Sequence, residues 1–142
     1  MPTSDQTARL SPPLTPRVLL VDDEPEARAA LCRMVRGMGY EARVAVDGRE
    51  ALGYLREHPG EIQLLIADLL LPMMHGDELA ERVRNLDPAI STVLTTTGTD
   101  RPSRQLLGDS RDLPILEKPV RFEPLYRLLA ERLGPVPASP RP

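Results

Sequence analysis

The period of the hydrophobic pattern switches repeatedly along the chain, and this alternation constrains the fold more than any other feature. Arg17 to Val21 (RVLLV) is short and continuously apolar after its first residue, as a strand buried on both faces would be. Pro25 to Met38 then sets Ala27, Leu31, Met34, Val35 and Met38 on one helical face and stops at Gly39. Glu41 to Val46 reads as a strand, and Gly48 to Glu57 carries Ala51, Leu52 and Leu55 at helical spacing before His58-Pro59-Gly60. Ile62 to Ala67 (IQLLIA) is a third strand, Asp77 to Asn85 a helix with Leu79, Ala80 and Val83, and Ile90 to Thr96 a fourth strand. Leu113 to Leu116 is short and strand-like, and Phe122 to Leu133 is a helix carrying Leu125, Leu128 and Leu129. Strands alternating with helices of about ten residues predict βαβ units, hence an α/β fold on a parallel sheet. The stretch between Thr99 and Asp112 fits poorly as the fourth helix: it holds Pro102 and Gly108, with only Leu106 and Leu107 as large apolar residues.

In an open α/β sheet the functional crevice lies at the carboxyl ends of the strands. The first strand ends in Asp22-Asp23, the third in Asp68 and the fourth in Thr95-Thr96-Thr97, and the fifth is followed by Lys118-Pro119. Each has a bland alternative. Asp23 could cap the helix that starts at Pro25, with Glu26 completing an Asp-x-x-Glu box. Asp68 could be a turn residue, the threonines plain β-formers, and Lys118 a solvated loop lysine. Together they resist that reading, because capping needs one carboxylate, not three converging from two strands. Two carboxylates about 4 Å apart repel by about 1 kcal/mol in bulk water and about 4 at an effective dielectric of 20. Such a cluster either raises a carboxylate pKa or holds a divalent cation. Oxygen-only ligands favour Mg²⁺ or Mn²⁺, and Mg²⁺ commonly pairs carboxylates with phosphate oxygens. A carboxylate, a metal, a lysine and a hydroxyl are the parts for phosphoryl transfer to an aspartate.

These residues match a family. Over 17–134 the chain resembles the receiver domain of two-component response regulators, in a single-domain form. The matching strings are VLLVDDEPEAR (18–28), GYEARVAVDGREAL (39–52), LLIADLLLPMMHG (64–76) and EKP (117–119). The intervals from Asp68 to Thr96 and to Lys118, 28 and 50 residues, also suit it. The resemblance implies a doubly wound, flavodoxin-like parallel sheet of five strands in the order 2-1-3-4-5, with helices on both faces and an atypical fourth helix. It implies that Asp68 is the phosphoacceptor, taking its phosphoryl group from a phosphohistidine. Asp23 and Asp68 would bind Mg²⁺ through side chains, Asp22 mainly through a metal-bound water, and Leu70 through its backbone carbonyl. Lys118 would neutralise a phosphoryl oxygen, Thr96 would be the switch hydroxyl, and the Thr97 N–H would lie nearby. It also implies a cis peptide before Pro119. The chain departs from the family at Ile115, where an aromatic is expected, and at Leu70 and Gly98, where polar residues often tune hydrolysis.

Composition narrows the partners. The chain has 142 residues and a net charge of −3, so no broad basic field is available for nucleic acid. Eight of the 16 prolines fall in 1–16 and 135–142, which reads as a flexible front tail and a proline-rich back tail around a folded unit at 17–134. No run of about 18 apolar residues suggests a membrane span, and the N-terminus lacks an apolar signal core, so a cytoplasmic protein is expected. Its one cysteine, Cys32, excludes an intramolecular disulfide framework and is read as core-facing or half-buried. His58 and His75 read as surface loop residues, Met73-Met74 as loop packing, and Arg28, Arg33 and Arg36 as a solvated or kinase-docking helix face. The expected partners are a sensor histidine kinase or histidine phosphotransfer protein and a downstream protein target. The chain is expected to be a signalling phosphoacceptor, not an enzyme beyond Mg-dependent self-phosphorylation and autodephosphorylation. The competing readings are a degenerate receiver that binds without phosphorylation and an aspartate-nucleophile phosphohydrolase, the latter weakened because Asp68-Leu69-Leu70 lacks a second acid.

Overall fold

The apolar runs become strands of one sheet. A computed structural model of the chain describes residues 15–97 and 113–134. The two tails, apart from Thr15 and Pro16, lie outside these residues, as do Gly98 and the atypical helix expected between Thr99 and Asp112. The described elements are β1 (Arg17–Val21), α1 (Pro25–Gly37), β2 (Glu41–Ala45), α2 (Gly48–Glu57), β3 (Leu64–Asp68), α3 (Gly76–Leu86), β4 (Ser91–Thr96), β5 (Ile115–Glu117) and α4 (Phe122–Leu133). All strand pairs are parallel, and the five-stranded sheet runs β2-β1-β3-β4-β5.

Strict alternation along the central strands builds two cores. Leu19, Val21, Leu65, Ala67 and Leu94 face one side, where Leu52 and Leu55 of α2 and Leu79 and Val83 of α3 cover them. Val18, Leu20, Leu64, Ile66 and Val93 face the other, under Leu31 and Val35 of α1 and Leu125 and Leu129 of α4. With helices on both faces, every position of β3 is buried, which is why its sequence runs apolar from Leu64 to Ala67 before Asp68. The edge strand β2 is half covered and leaves Arg43 and Val44 exposed.

Local chemistry sets the element ends. Asp47 caps α2 by accepting from the Glu50 N–H at 2.8 Å, while the Glu50 carboxylate accepts from the Val46 N–H at 2.7 Å, a variant of the capping box. Gly39 takes φ 103° to turn the chain from α1 into β2. Most element ends fall within one residue of the sequence pattern, but two strands start two residues later than it puts them. β3 begins at Leu64 rather than Ile62, because Gln63 bonds to Arg17 through its own N–H and its side-chain oxygen, at 3.0 and 2.8 Å. β5 covers Ile115–Glu117 rather than 113–116; Pro114 accepts from Leu94 N–H at 2.9 Å but has no N–H to extend the ladder. No helix among the described residues is long and apolar enough to cross a membrane.

Leu65 is fully buried at the centre of the sheet. Leu65→Ala is expected to lower unfolding free energy by about 2–5 kcal/mol, read as a fall in urea midpoint at unchanged slope.

Candidate functional site

The same alternation that builds the cores aims the site. Asp22 follows Leu20, and Asp68 follows Ile66, on the side of the sheet that α1 and α4 cover. Lys118 follows Leu116, which packs on that side. Three charged side chains therefore emerge together at the carboxyl edge. Asp22 is 1% exposed; its Oδ1 accepts from the Glu24 N–H at 2.9 Å and its backbone carbonyl accepts from Arg28 at 2.6 Å. Asp68 is 9% exposed and its Oδ1 accepts from the Leu70 N–H at 3.3 Å. The Lys118 ammonium lies 2.9 Å from Asp22 Oδ2 and 3.1 Å from Asp68 Oδ2. Burial opposes its charge, and the two carboxylates outweigh that burial, holding the ammonium above the ordinary lysine value. The backbone fixes its origin: Lys118 N–H donates to the Thr96 carbonyl at 2.7 Å, and the peptide before Pro119 is cis.

Asp22, Asp23 and Asp68 each present a carboxylate oxygen within 4.8 Å of the others. Asp23 is exposed and does not cap α1; the cap position is Glu24, which makes no side-chain cap bond. Leu70 is 43% exposed just past Asp68. Thr96 closes β4 on the α2–α3 side, 4% exposed, with no hydrogen-bond partner for its hydroxyl among the described residues, and Thr97 follows it at the surface. Ile115 is half-buried against the α2–α3 core. His58 and His75 are exposed, at the end of α2 and the start of α3, and Cys32 is half-buried on the α1 side. Met74 packs as expected, but Met73 does not: it stands 85% exposed at φ 67°, where the chain turns tightly enough for Met74 N–H to reach the Pro72 carbonyl. One supporting residue escaped the sequence reading: Arg28, which donates to the Asp22 carbonyl, looked like one more helix arginine.

A model of the response regulator receiver domain matches residues 18–130. The chain belongs to that family. It is 31% identical over 130 residues to the sensor histidine kinase RcsC of Salmonella typhi, covering 92% of this chain and 13% of that protein. It is 38% identical over 117 residues to the DNA-binding response regulator MtrA of Mycolicibacterium smegmatis, covering 82% of this chain and 50% of that one. The chain thus spans half or less of the length of these relatives. The structure of the chemotaxis protein CheY4 of Vibrio cholerae superposes with a TM-score of 0.72 at 29% identity, over 83% of this chain and 98% of that one.

The donors of this receiver domain fit a hard divalent cation. All are oxygens, and three carboxylates against one ammonium leave a local charge of about −2. Asp22 Oδ2 meets Lys118 at ion-pair distance without hydrogen-bond alignment, so a buried carboxylate oxygen retains coordinating capacity.

The loop that carries Asp68 into α3 leaves no space at Gly76. A Cβ there would lie 2.5 Å from the Asp68 carbonyl oxygen and 2.9 Å from Leu69 Cα, both backbone. Gly76→Ala must therefore displace the connection that follows the acid. It is expected to cost about 1–3 kcal/mol in urea unfolding.

Proposed function

We propose that this receiver domain accepts a phosphoryl group on Asp68 from a phosphohistidine and that the modification switches its binding to a downstream protein. The observation that carries this reading is a nearly buried carboxylate sharing one ammonium with a second buried carboxylate beside a third. An Asp68 oxygen bonds to phosphorus as the phosphorus–nitrogen bond breaks; the electron pair returns to the imidazole ring, which takes up a proton. Asp22, Asp23 and Asp68 would hold Mg²⁺, Asp22 mainly through water, with the Leu70 carbonyl as a further ligand. Bound there, the ion supplies positive charge for the phosphoryl oxygens. Lys118 orients the Asp68 carboxylate before transfer, and its flexible stem lets the ammonium pass to a phosphoryl oxygen afterwards.

Thr96 supplies the switch hydroxyl. A buried hydroxyl without a partner costs about 1–3 kcal/mol, and a phosphoryl oxygen at Asp68 offers it one, with the Thr97 N–H beside it. The group also brings about −1.5 to −2 charge to the crevice. On the donor side, a mainly apolar groove of about 340 Å³ runs between Ala27, Ala30, Leu31 and Met34 of α1 and Pro119 and Val120. Lys118 also lines it, so an apolar helix face laid there brings its histidine to the acid. That RcsC is a sensor histidine kinase supports a phosphohistidine donor. We place the module in the cytoplasm and its folded unit at 17–134, with Mg-dependent self-phosphorylation and autodephosphorylation as its only chemistry. The intact acid and lysine set counts against a receiver that binds without phosphorylation.

Acetyl phosphate with Mg²⁺ is expected to add the mass of one phosphoryl group, and Asp68→Ala or omission of Mg²⁺ to abolish it. A folded wild type that gains no mass leaves the phosphorylation-independent reading standing. Thr96→Val is expected to gain the same mass while showing smaller amide NMR shifts beyond the acidic cluster; undiminished remote shifts would remove Thr96 from the switch.

A further inference from the structure

A second hydroxyl sits beside Asp68 and has no part in the chemistry above. Along β4, Val93 packs on the α1–α4 side of the sheet and Leu94 on the other. Thr95 therefore shares its face with Val93, and with Asp68, while Thr96 points to the opposite side. The strand register pairs Thr95 directly with Asp68 on one flank and with Leu116 on the other. Paired residues on one face of a sheet lie about 4.8 Å apart, so a hydroxyl at Thr95 needs only a rotamer step to reach the acid. Thr95 is 1% exposed, and its Oγ1 has no hydrogen-bond partner among the described residues. Valine has the same shape and would fill this position without burying an unpaired donor. β-propensity alone therefore does not account for threonine here.

The acid has room for the donor. As a carboxylate, Asp68 accepts from Lys118 at 3.1 Å and from the Leu70 N–H at a long 3.3 Å. Once one oxygen is bonded to phosphorus, the other is a carbonyl oxygen, and Lys118 is drawn towards the phosphoryl group. As a ligand of the Mg²⁺ proposed above, that oxygen uses one lone pair and, with the ammonium gone, keeps the other for a hydrogen-bond donor. We infer that Thr95 is a positioning residue for the phosphorylated state, donating its Oγ–H to the Asp68 carbonyl oxygen. This rests on Asp68 being the phosphoacceptor. The two neighbouring hydroxyls then divide the product between them: Thr96 takes a phosphoryl oxygen and Thr95 the acyl oxygen.

The test compares wild type, Thr95→Val, Thr95→Ser and Asp68→Ala in beryllofluoride titrations with Mg²⁺, followed by fluorine NMR. Lifetimes of the acetyl-phosphate product and thermal midpoints are measured alongside. Thr95→Val is expected to need about three- to tenfold more beryllofluoride for half occupancy, the worth of one ordinary hydrogen bond, and to lose its phosphoryl group correspondingly faster. Its ligand-free midpoint should equal or exceed that of wild type, and Thr95→Ser should restore both affinity and lifetime. Wild-type affinity and lifetime in Thr95→Val would overturn the inference. So would a weakened Thr95→Val that also melts lower and is not rescued by serine, since that pattern belongs to packing. If wild type takes up no more beryllofluoride than Asp68→Ala, the phosphoacceptor reading itself falls, and this one with it.

Discussion

A single ammonium held between two buried carboxylates is the interaction on which the rest of this structure depends. Lys118 meets Asp22 at 2.9 Å and Asp68 at 3.1 Å, at the end of a sheet whose interior is otherwise almost wholly apolar. Taking charges out of water is costly, and an ion pair recovers that cost only with good geometry and filled hydrogen bonds. Here the geometry is incomplete, and Asp23 adds a third acid nearby. A chain selected for stability alone would place apolar residues at these strand ends. The acids leave a buried carboxylate oxygen without an aligned partner, which is an unfilled capacity to coordinate and not a contribution to stability.

Much of this was legible in the sequence, for one physical reason. A parallel strand covered on both faces cannot alternate in polarity, so its ends are marked abruptly by the first charged residue. Leu20 to Asp22 and Ile66 to Asp68 both show that break, and alternation then dictates that the two acids share a face. Other features were not legible because they depend on contacts remote in the chain. The start of β3 is set by Gln63 reaching Arg17, and the reach of β5 by a missing N–H at Pro114. Met73 reads like its neighbour, yet a positive φ turns it outward while Met74 packs. Gly76 looks like a loop glycine until the Asp68 carbonyl is found 2.5 Å from where its Cβ would be.

Thr95 shows the same limit more sharply. A threonine in a strand is unremarkable by propensity, and three in a row suggest only a β-former. What distinguishes Thr95 is that its register partner is Asp68 and that its hydroxyl is sealed from water. Neither fact belongs to the local sequence. Both arise from how β3 and β4 are brought together, which is fixed by the hydrophobic register of the whole sheet.

Magnitudes limit what any one of these hydroxyls can do. Moving a two-state element from one part in a hundred to ninety-nine takes about 5.5 kcal/mol of differential binding, whereas one new hydrogen bond contributes about 0.5–1.5. Thr96 alone therefore cannot throw a switch. On the proposed reading the larger share comes from charge: a phosphoryl group arriving where three acids already face one lysine would reorganise the pairing of Lys118, whose backbone is bonded to the Thr96 carbonyl. That bond ties β5 to β4 at the point where the ammonium originates. A change in where the lysine reaches is thus felt at the same strand end that carries both threonines. The α2–α3 layer would sense it through Thr96 and Ile115, and the α1–α4 layer through Thr95 and Leu116. Consecutive residues of one strand, pointing to opposite faces, give a single charge access to both halves of the core.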